Sequence, residues 1–112
     1  MANALQLTDA TFDAEVVQYP GLVMVDFGAD WCPPCRLIAP VVERLAVDYA
    51  GRARVATLDT DANPATTARY AVRSLPTLLF FRDGQVVDRI VGAVPKTTLE
   101  AKLTQHLAQH AA

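Results

Sequence analysis

Two short apolar segments, LVMVDF at residues 22–27 and RVATLD at residues 54–59, most constrain how this 112-residue chain can fold. Short runs of this kind are typical of strands that are covered on both faces. Two further β-rich runs, TLLFF and QVVDRIV, flank Arg82-Asp83-Gly84, and an Asp-Gly pair in that position indicates a hairpin. The sequence therefore predicts two central strands followed by a β-hairpin.

Helical patterns surround these strands. The first, QLTDATFDAEVVQ at residues 6–18, has Thr8 or Asp9 as its cap and ends before Pro20-Gly21. We therefore expect the chain to open with a helix.

Three more helices are predicted. The segment RLIAPVVERLAVDYA contains Pro40, which should kink its helix. Asn63 and Pro64 mark the start of a short helix, and the last helix carries Leu99, Leu103 and Leu107 on one face. The predicted order is helix, strand, helix, strand, helix, strand, strand, helix. A βαβ half followed by a ββα half implies an α/β fold with a mixed central sheet and helices on both faces.

The composition suits one domain that spans residues 1–112. The chain is 52% hydrophobic with a net charge of −2, which gives no electrostatic reason to expect nucleic acid or a membrane surface as a partner. The first residues lack the basic and long apolar regions of a signal peptide, and no apolar run could span a bilayer. We expect a cytoplasmic monomer, in a reducing compartment where a cysteine pair is typical of catalysis or metal binding.

The only two cysteines lie in WCPPC, between a predicted buried strand and a helix. Cys32 falls at or just before the helix N-terminus, where free N–H groups and the helix dipole favour a thiolate. Cys35 lies one turn further on, close enough to form a disulfide. We interpret Cys32 as the more exposed, attacking thiol and Cys35 as the resolving thiol.

Two alternatives for the cysteines remain open on the residues alone. His106 and His110 have the spacing of half a zinc finger, although about 70 residues separate them from the cysteines where a finger has about a dozen. The other alternative is a purely structural disulfide.

The two prolines between the cysteines stiffen the loop and remove two N–H donors. A residue before proline avoids the helical region, so we expect Cys32 and Pro33 to be extended and the helix to begin at Pro34.

The sequence resembles the thioredoxin family over nearly its whole length. The resemblance rests on VDFGADWCPPCR, on Pro40, on SLPTLLFFRDG and on VGA before the last helix. It implies a thioredoxin fold in which Pro76 is cis and faces the cysteines.

The resemblance also implies a set of substrate-binding residues. The backbone around Leu75 would pair with an extended substrate segment, a form of strand addition. The docking surface would be completed by Trp31, Pro33, Pro34, Pro76, Gly92 and Ala93.

Asp26 matches a buried family aspartate that assists proton transfer at the second cysteine, so we expect it to be catalytic with a raised pKa. Two departures stand out. The family's typical motif has Gly-Pro where this chain has Pro33-Pro34, and Thr57 replaces a lysine that many members carry near the aspartate. Without that cation, we predict that the pKa of Asp26 is raised more strongly than in lysine-containing relatives.

These observations favour a protein disulfide reductase that donates electrons from the Cys32–Cys35 dithiol. Family resemblance implies that thioredoxin reductase, fed by NADPH, restores the dithiol. The chain has no Gly-rich dinucleotide fingerprint, so we expect it to bind no cofactor or metal of its own. The alternatives are a disulfide isomerase or oxidase on the same fold and a binding subunit that works independently of redox state.

Overall fold

The structure, a computed structural model, describes residues 3–110. The elements in chain order are β1 (Leu5–Leu7), a short π-helical turn (Asp13–Val17), β2 (Leu22–Gly28), α1 (Pro33–Asp48), β3 (Arg54–Asp59), α2 (Pro64–Arg69), β4 (Thr77–Arg82), β5 (Gln85–Val91) and α3 (Lys96–His110). Within residues 3–110, no helix combines the length and apolar character needed to cross a membrane.

The strands form one sheet in the order β1-β3-β2-β4-β5. Strand β3 is parallel to β1 and β2, whereas β4 is antiparallel to β2 and β5. The predicted mixed sheet is therefore confirmed. Strand β2 lies at its centre and is buried from Leu22 to Phe27, which explains why its sequence is nearly all apolar.

Each face of the sheet packs against its own apolar core. On one face, α1 and α3 contribute Ile38, Val42, Leu45, Leu99 and Leu103. On the other face, Phe12, Val16 and Val72 pack against the side chains of β2, β3 and β4. These two layers hold β2 rigidly, and the cysteine motif follows directly after its end.

The prediction of an opening helix over residues 6–18 was wrong in part. The chain starts with β1, and the helical segment that follows is only the turn Asp13–Val17. Strand β1 escaped detection because it has three residues and buries only Leu7, which is too short for a period to show.

Asp9 caps a different helix from the one predicted. Its carboxylate accepts hydrogen bonds from the backbone N–H groups of Ala65 and Thr66, at 3.2 and 2.8 Å, in the first turn of α2. Asn63, at the predicted cap position, accepts from the N–H of Asp9 instead. These bonds join the end of β1 to α2.

The predicted hairpin is present, and its turn depends on Gly84. Asp83 and Gly84 both have positive φ, at 50° and 82°, as the tight turn of a two-residue hairpin requires. A methyl group on Gly84 would overlap the carbonyl oxygen of Val17. The turn is thus packed against the π-helical turn with no room for a side chain.

We expect Gly84→Ala to lower the free energy of unfolding by about 2 kcal/mol, because it combines backbone strain with a clash. Gly51→Ala is the matched control: its φ is 85°, but apart from its chain neighbours no atom of the described residues lies within 4 Å of where the methyl group would be. Urea unfolding of both variants separates the two effects. Equal losses of unfolding free energy in the two variants would show that the clash with Val17 does not contribute to the effect of Gly84→Ala.

Candidate active site

The two cysteines are joined in a disulfide at the start of α1, with their Cα atoms 5.2 Å apart. Cys32 is the N-cap of the helix, and its sulfur accepts a hydrogen bond of 3.3 Å from the N–H of Cys35. The sulfur of Cys32 thus lies where free helix N–H groups and the positive end of the dipole stabilise negative charge. This placement favours a thiolate at Cys32 once the disulfide is reduced.

The helix begins one residue earlier than predicted. Only Cys32 is extended, with φ −92° and ψ 109°, and Pro33 already belongs to α1. The N–H of Arg36 donates to the carbonyl of Cys32, which closes the first turn around both prolines. This turn outweighs the usual reluctance of a residue before proline to be helical. The helix then runs through Pro40 to Asp48.

The expectation that Cys32 is the more exposed cysteine was wrong. In the disulfide form Cys32 is 3% exposed and Cys35 is 7% exposed. Both pack against Ala29, and Leu75 covers this cluster from the side. What distinguishes Cys32 is therefore its position at the helix cap and not its exposure.

Asp26 lies on β2, opposite Thr57 of β3. Its side chain is buried, and its Oδ1 has no hydrogen-bond partner among residues 3–110. Burial raises the pKa of Asp26 to about 7, because the charged form loses its solvation. The predicted rise in pKa is therefore confirmed, while the comparison with lysine-containing relatives stays a prediction.

Gly28 separates Asp26 from Cys35. A methyl group on Gly28 would lie 3.4 Å from Sγ of Cys35 and 3.9 Å from Oδ1 of Asp26. No sequence pattern singles out Gly28, although a glycine at the end of a strand can mark a place where another group approaches closely. Here it leaves an open space between the acid and the second cysteine.

A cleft of about 440 Å³, here called the front cleft, brings together several of the predicted binding residues. Four of them line it, together with Cys32, Thr60, Thr67, Val72 and Arg73: Trp31, Pro33, Pro34 and Leu75. Of the two cysteines, only Cys32 lines this cleft.

Pro76 follows Leu75 through a cis peptide bond, the geometry that the family resemblance implied. The carbonyl of Pro76 accepts a hydrogen bond of 2.9 Å from the N–H of Gly92. Gly92 and the exposed Ala93 do not line the front cleft. The structure thus joins Gly92 to Pro76 by a hydrogen bond. Ala93 is placed next to them only because it follows Gly92 in the chain.

Trp31 stands out from the surface and is 64% exposed. Its Nε1–H donates a hydrogen bond of 2.7 Å to Oδ2 of Asp61 in the loop after β3. No pattern in the sequence links Asp61 to a tryptophan 30 residues away. The bond fixes the orientation of an aromatic ring beside Cys32.

His106 has other partners than the cysteines. Its Nε2 lies 2.9 Å from Oδ2 of Asp88, and its Nδ1 lies 3.1 Å from Oε1 of Gln109. The side chain of His110 lies outside the described residues. Among the described side chains, no group of three or more His, Cys, Asp or Glu could hold a metal ion.

The site combines a disulfide at a helix cap with a buried acid and an open cleft. This is the arrangement of a thiol–disulfide oxidoreductase. The thioredoxin family model matches residues 3–105. The chain is 50% identical to Thioredoxin 1 of Nostoc sp. over 107 residues, which are 96% of this chain and all of that protein. It is 52% identical to Thioredoxin of Staphylococcus aureus over 103 residues, 92% of this chain and 97% of that protein.

The chain belongs to the thioredoxin family. It is a protein disulfide reductase that acts on disulfide-containing substrates through its cysteine pair.

Proposed function

We propose that this reductase serves protein substrates in general, with Cys32 as the attacking thiol and Cys35 as the resolving thiol. The observation that carries this assignment is the hydrogen bond from the N–H of Cys35 to the sulfur of Cys32 at the start of α1. Because Cys32 lines the front cleft and Cys35 does not, a protein disulfide would meet Cys32 first.

The cycle has two exchange steps. The Cys32 thiolate attacks one substrate sulfur, a Cys32–substrate disulfide forms, and the other substrate sulfur leaves as a thiolate that takes up a proton. The Cys35 thiolate then attacks Sγ of Cys32 and releases the second substrate thiolate. The substrate gains two electrons and two protons, and the protein is left with the Cys32–Cys35 disulfide.

Asp26 is proposed as the base for the second step. Its pKa of about 7 matches a group that exchanges protons near neutral pH. The space beside Gly28, which both Asp26 and Cys35 face, leaves room for a proton to pass directly or through one water. Asp26 would accept the proton of Cys35 as that thiol attacks.

Docking is proposed to use the residues around the front cleft. The backbone at Leu75 would pair with an extended substrate segment, and Trp31, Pro33 and Pro34 would supply apolar contact. Gly92 and Ala93 would continue the surface, and the buried Pro76 would support them through its hydrogen bond from Gly92.

The bond between Trp31 and Asp61 gives a test of this docking surface. Asp61→Ala frees the indole ring, so we expect kcat/KM for a protein disulfide to fall by about three- to tenfold. Asp61→Asn retains an acceptor oxygen and should restore most of the loss. If both variants equal the wild type, the orientation of Trp31 does not matter for docking.

We also propose an oligomeric state, a location and a reducing partner for the protein. We propose that residues 1–112 act as one monomeric domain in the cytoplasm, with no cofactor of its own and no nucleic acid or membrane partner. Thioredoxin reductase would restore the dithiol with electrons from NADPH, as the membership of the family supports. A coupled assay of NADPH consumption with the purified reductase and an oxidised protein substrate tests this directly.

The reduction potential of the Cys32–Cys35 pair separates a reductase from an isomerase or oxidase on the same fold. It is measured by equilibration with dithiol or glutathione buffers, with Trp31 fluorescence as the signal. We expect the Pro33-Pro34 loop to leave the potential at or below about −250 mV, in the range of cytoplasmic electron donors. A value above about −200 mV would contradict the general reductase assignment and favour an oxidising role.

A further inference from the structure

A second cleft lies next to the disulfide and shares no lining residue with the front cleft. It also measures about 440 Å³, and it is here called the back cleft. The end of β2 and the start of α1 form one wall through Asp26, Gly28, Cys35 and Arg36, while Thr57 and Asp59 of β3 form another. The two cysteines therefore face different clefts: Cys32 lines the front and Cys35 lines the back.

Gly28 is what opens the back cleft toward the sulfur of Cys35. A methyl group there would already touch Sγ of Cys35 at 3.4 Å, so any larger side chain would cover that sulfur. On another wall of the cleft, Thr57 also has a short side chain, and this residue is only partly buried. Neither position places a bulky side chain in the back cleft.

Oδ1 of Asp26 provides a second, independent sign of a ligand. The residue is more than nine-tenths buried, it lines the back cleft, and its Oδ1 has no partner in the described part of the chain. A buried oxygen without a hydrogen bond is costly, and a bound donor in the cleft would satisfy it.

We propose that the back cleft admits small cationic or neutral disulfides and thiols, which exchange directly with Cys35. A cleft of about 440 Å³ has room for a small disulfide. Its charged lining consists of the carboxyl groups of Asp26, Asp30 and Asp59 against the guanidinium of Arg36. This balance favours aminothiols over small anionic thiols.

The exchange balances without any further reagent. The Cys35 thiolate attacks one sulfur of the small disulfide, a Cys35–S bond forms, the original S–S bond breaks, and the other half leaves as a thiolate that takes up a proton. The proton of Cys35 goes to Asp26 or to water. In the dithiol protein, Cys32 would then attack Sγ of Cys35 and release the second small thiol.

The test uses Cys32→Ser, in which Cys35 is the only thiol and the protein reductase cycle is absent. A negative result with this variant would thus leave the proposed reductase cycle, which begins at Cys32, unaffected. The probes are cystamine, which is cationic, and dithiodipropionate, which is anionic, and intact-mass spectrometry follows the mixed disulfide at Cys35. Relative to the same two reactions of an unstructured thiol peptide, we expect the preference for cystamine to be about tenfold greater.

Substitutions that fill one cleft at a time locate the route. In the Cys32→Ser background, Gly28→Val should slow the cystamine reaction about tenfold, because it covers the sulfur from behind. Thr57→Leu fills the same cleft from β3 and serves if Gly28→Val does not fold. Arg73→Trp adds bulk at the front cleft instead and should change the rate by less than about twofold.

Three results would each overturn the proposal. The first is an unchanged rate in both variants that fill the back cleft, and the second is a large loss in Arg73→Trp. The third is a rate that rises steeply with urea below the unfolding transition, since Cys35 would then react only through local or global unfolding.

Discussion

Replacing Cys35 with serine is expected to give a protein that captures its substrates and does not release them. Cys32 keeps its place at the cap of α1, so the first exchange still occurs. The hydrogen bond to its sulfur comes from the backbone N–H of residue 35, which the substitution retains. Without the Cys35 thiol, the mixed disulfide has no internal resolving group, and turnover should fall by on the order of a thousandfold or more.

The mixed disulfide is measured by non-reducing electrophoresis and mass spectrometry after mixing with an oxidised protein substrate. Cys32→Ser is the matched control, since it should show equally low turnover but no trapped protein substrate. The assigned roles would be reversed if Cys32→Ser trapped the substrate and Cys35→Ser did not.

The second large effect concerns stability and pH. Burial raises the pKa of Asp26 from about 3.9 in an unfolded chain to about 7 in the folded protein. Between these values the folded protein holds a proton that the unfolded chain has released, so the contribution of Asp26 to stability is lost as the pH rises through this window. Above pH 7 Asp26 is ionised, and the burial of its carboxylate lowers the free energy of unfolding by at most about 4 kcal/mol.

Asp26→Asn removes the charge and keeps the shape. We expect it to raise the free energy of unfolding by about 2–4 kcal/mol at pH 8 and to give little gain near pH 4. Urea unfolding across this pH range measures the difference, and an NMR titration of Asp26 gives its pKa independently. The exposed Asp30 offers a control, since Asp30→Asn should change stability by less than about 0.5 kcal/mol at either pH. A gain that does not depend on pH would show that the charge of Asp26 is not its cause.

The same variant tests proton transfer. If Asp26 takes the proton of Cys35, Asp26→Asn should slow the release of a preformed mixed disulfide about tenfold or more. Resolution at the wild-type rate would refute the role of Asp26 as a base while leaving its effect on stability intact.

The sequence predicted the central strands, the hairpin and the position of the cysteine pair because each of these has a strong local signal. Apolar runs, Asp-Gly and prolines at helix starts act over a few residues. Strand β1 gave no such signal, since it buries one side chain and exists only by pairing with β3. The exposure of Cys32 could not be predicted either, because Leu75 covers it from a distant part of the chain.

Contacts between residues distant in sequence explain the other gaps at the site. The hydrogen bond between Trp31 and Asp61 joins two loops, and the residues next to each of them in the sequence do not indicate this bond. Gly28 has meaning only once Cys35 and Asp26 are known to lie on either side of it. The helix cap of Cys32, in contrast, follows from the motif alone, which is why the chemistry was clearer than the shape of its surroundings.

The two edges of the sheet make this protein a poor template for aggregation. Strand β1 offers only three residues of backbone, too few to recruit a strand from another molecule. Strand β5 is longer and has three exposed valines, but Asp88 and Arg89 interrupt them, and Val87 is an extra residue where the pairing with β4 shifts register between Phe80 and Phe81. A chain that meets disulfide-containing proteins benefits from edges that do not join theirs.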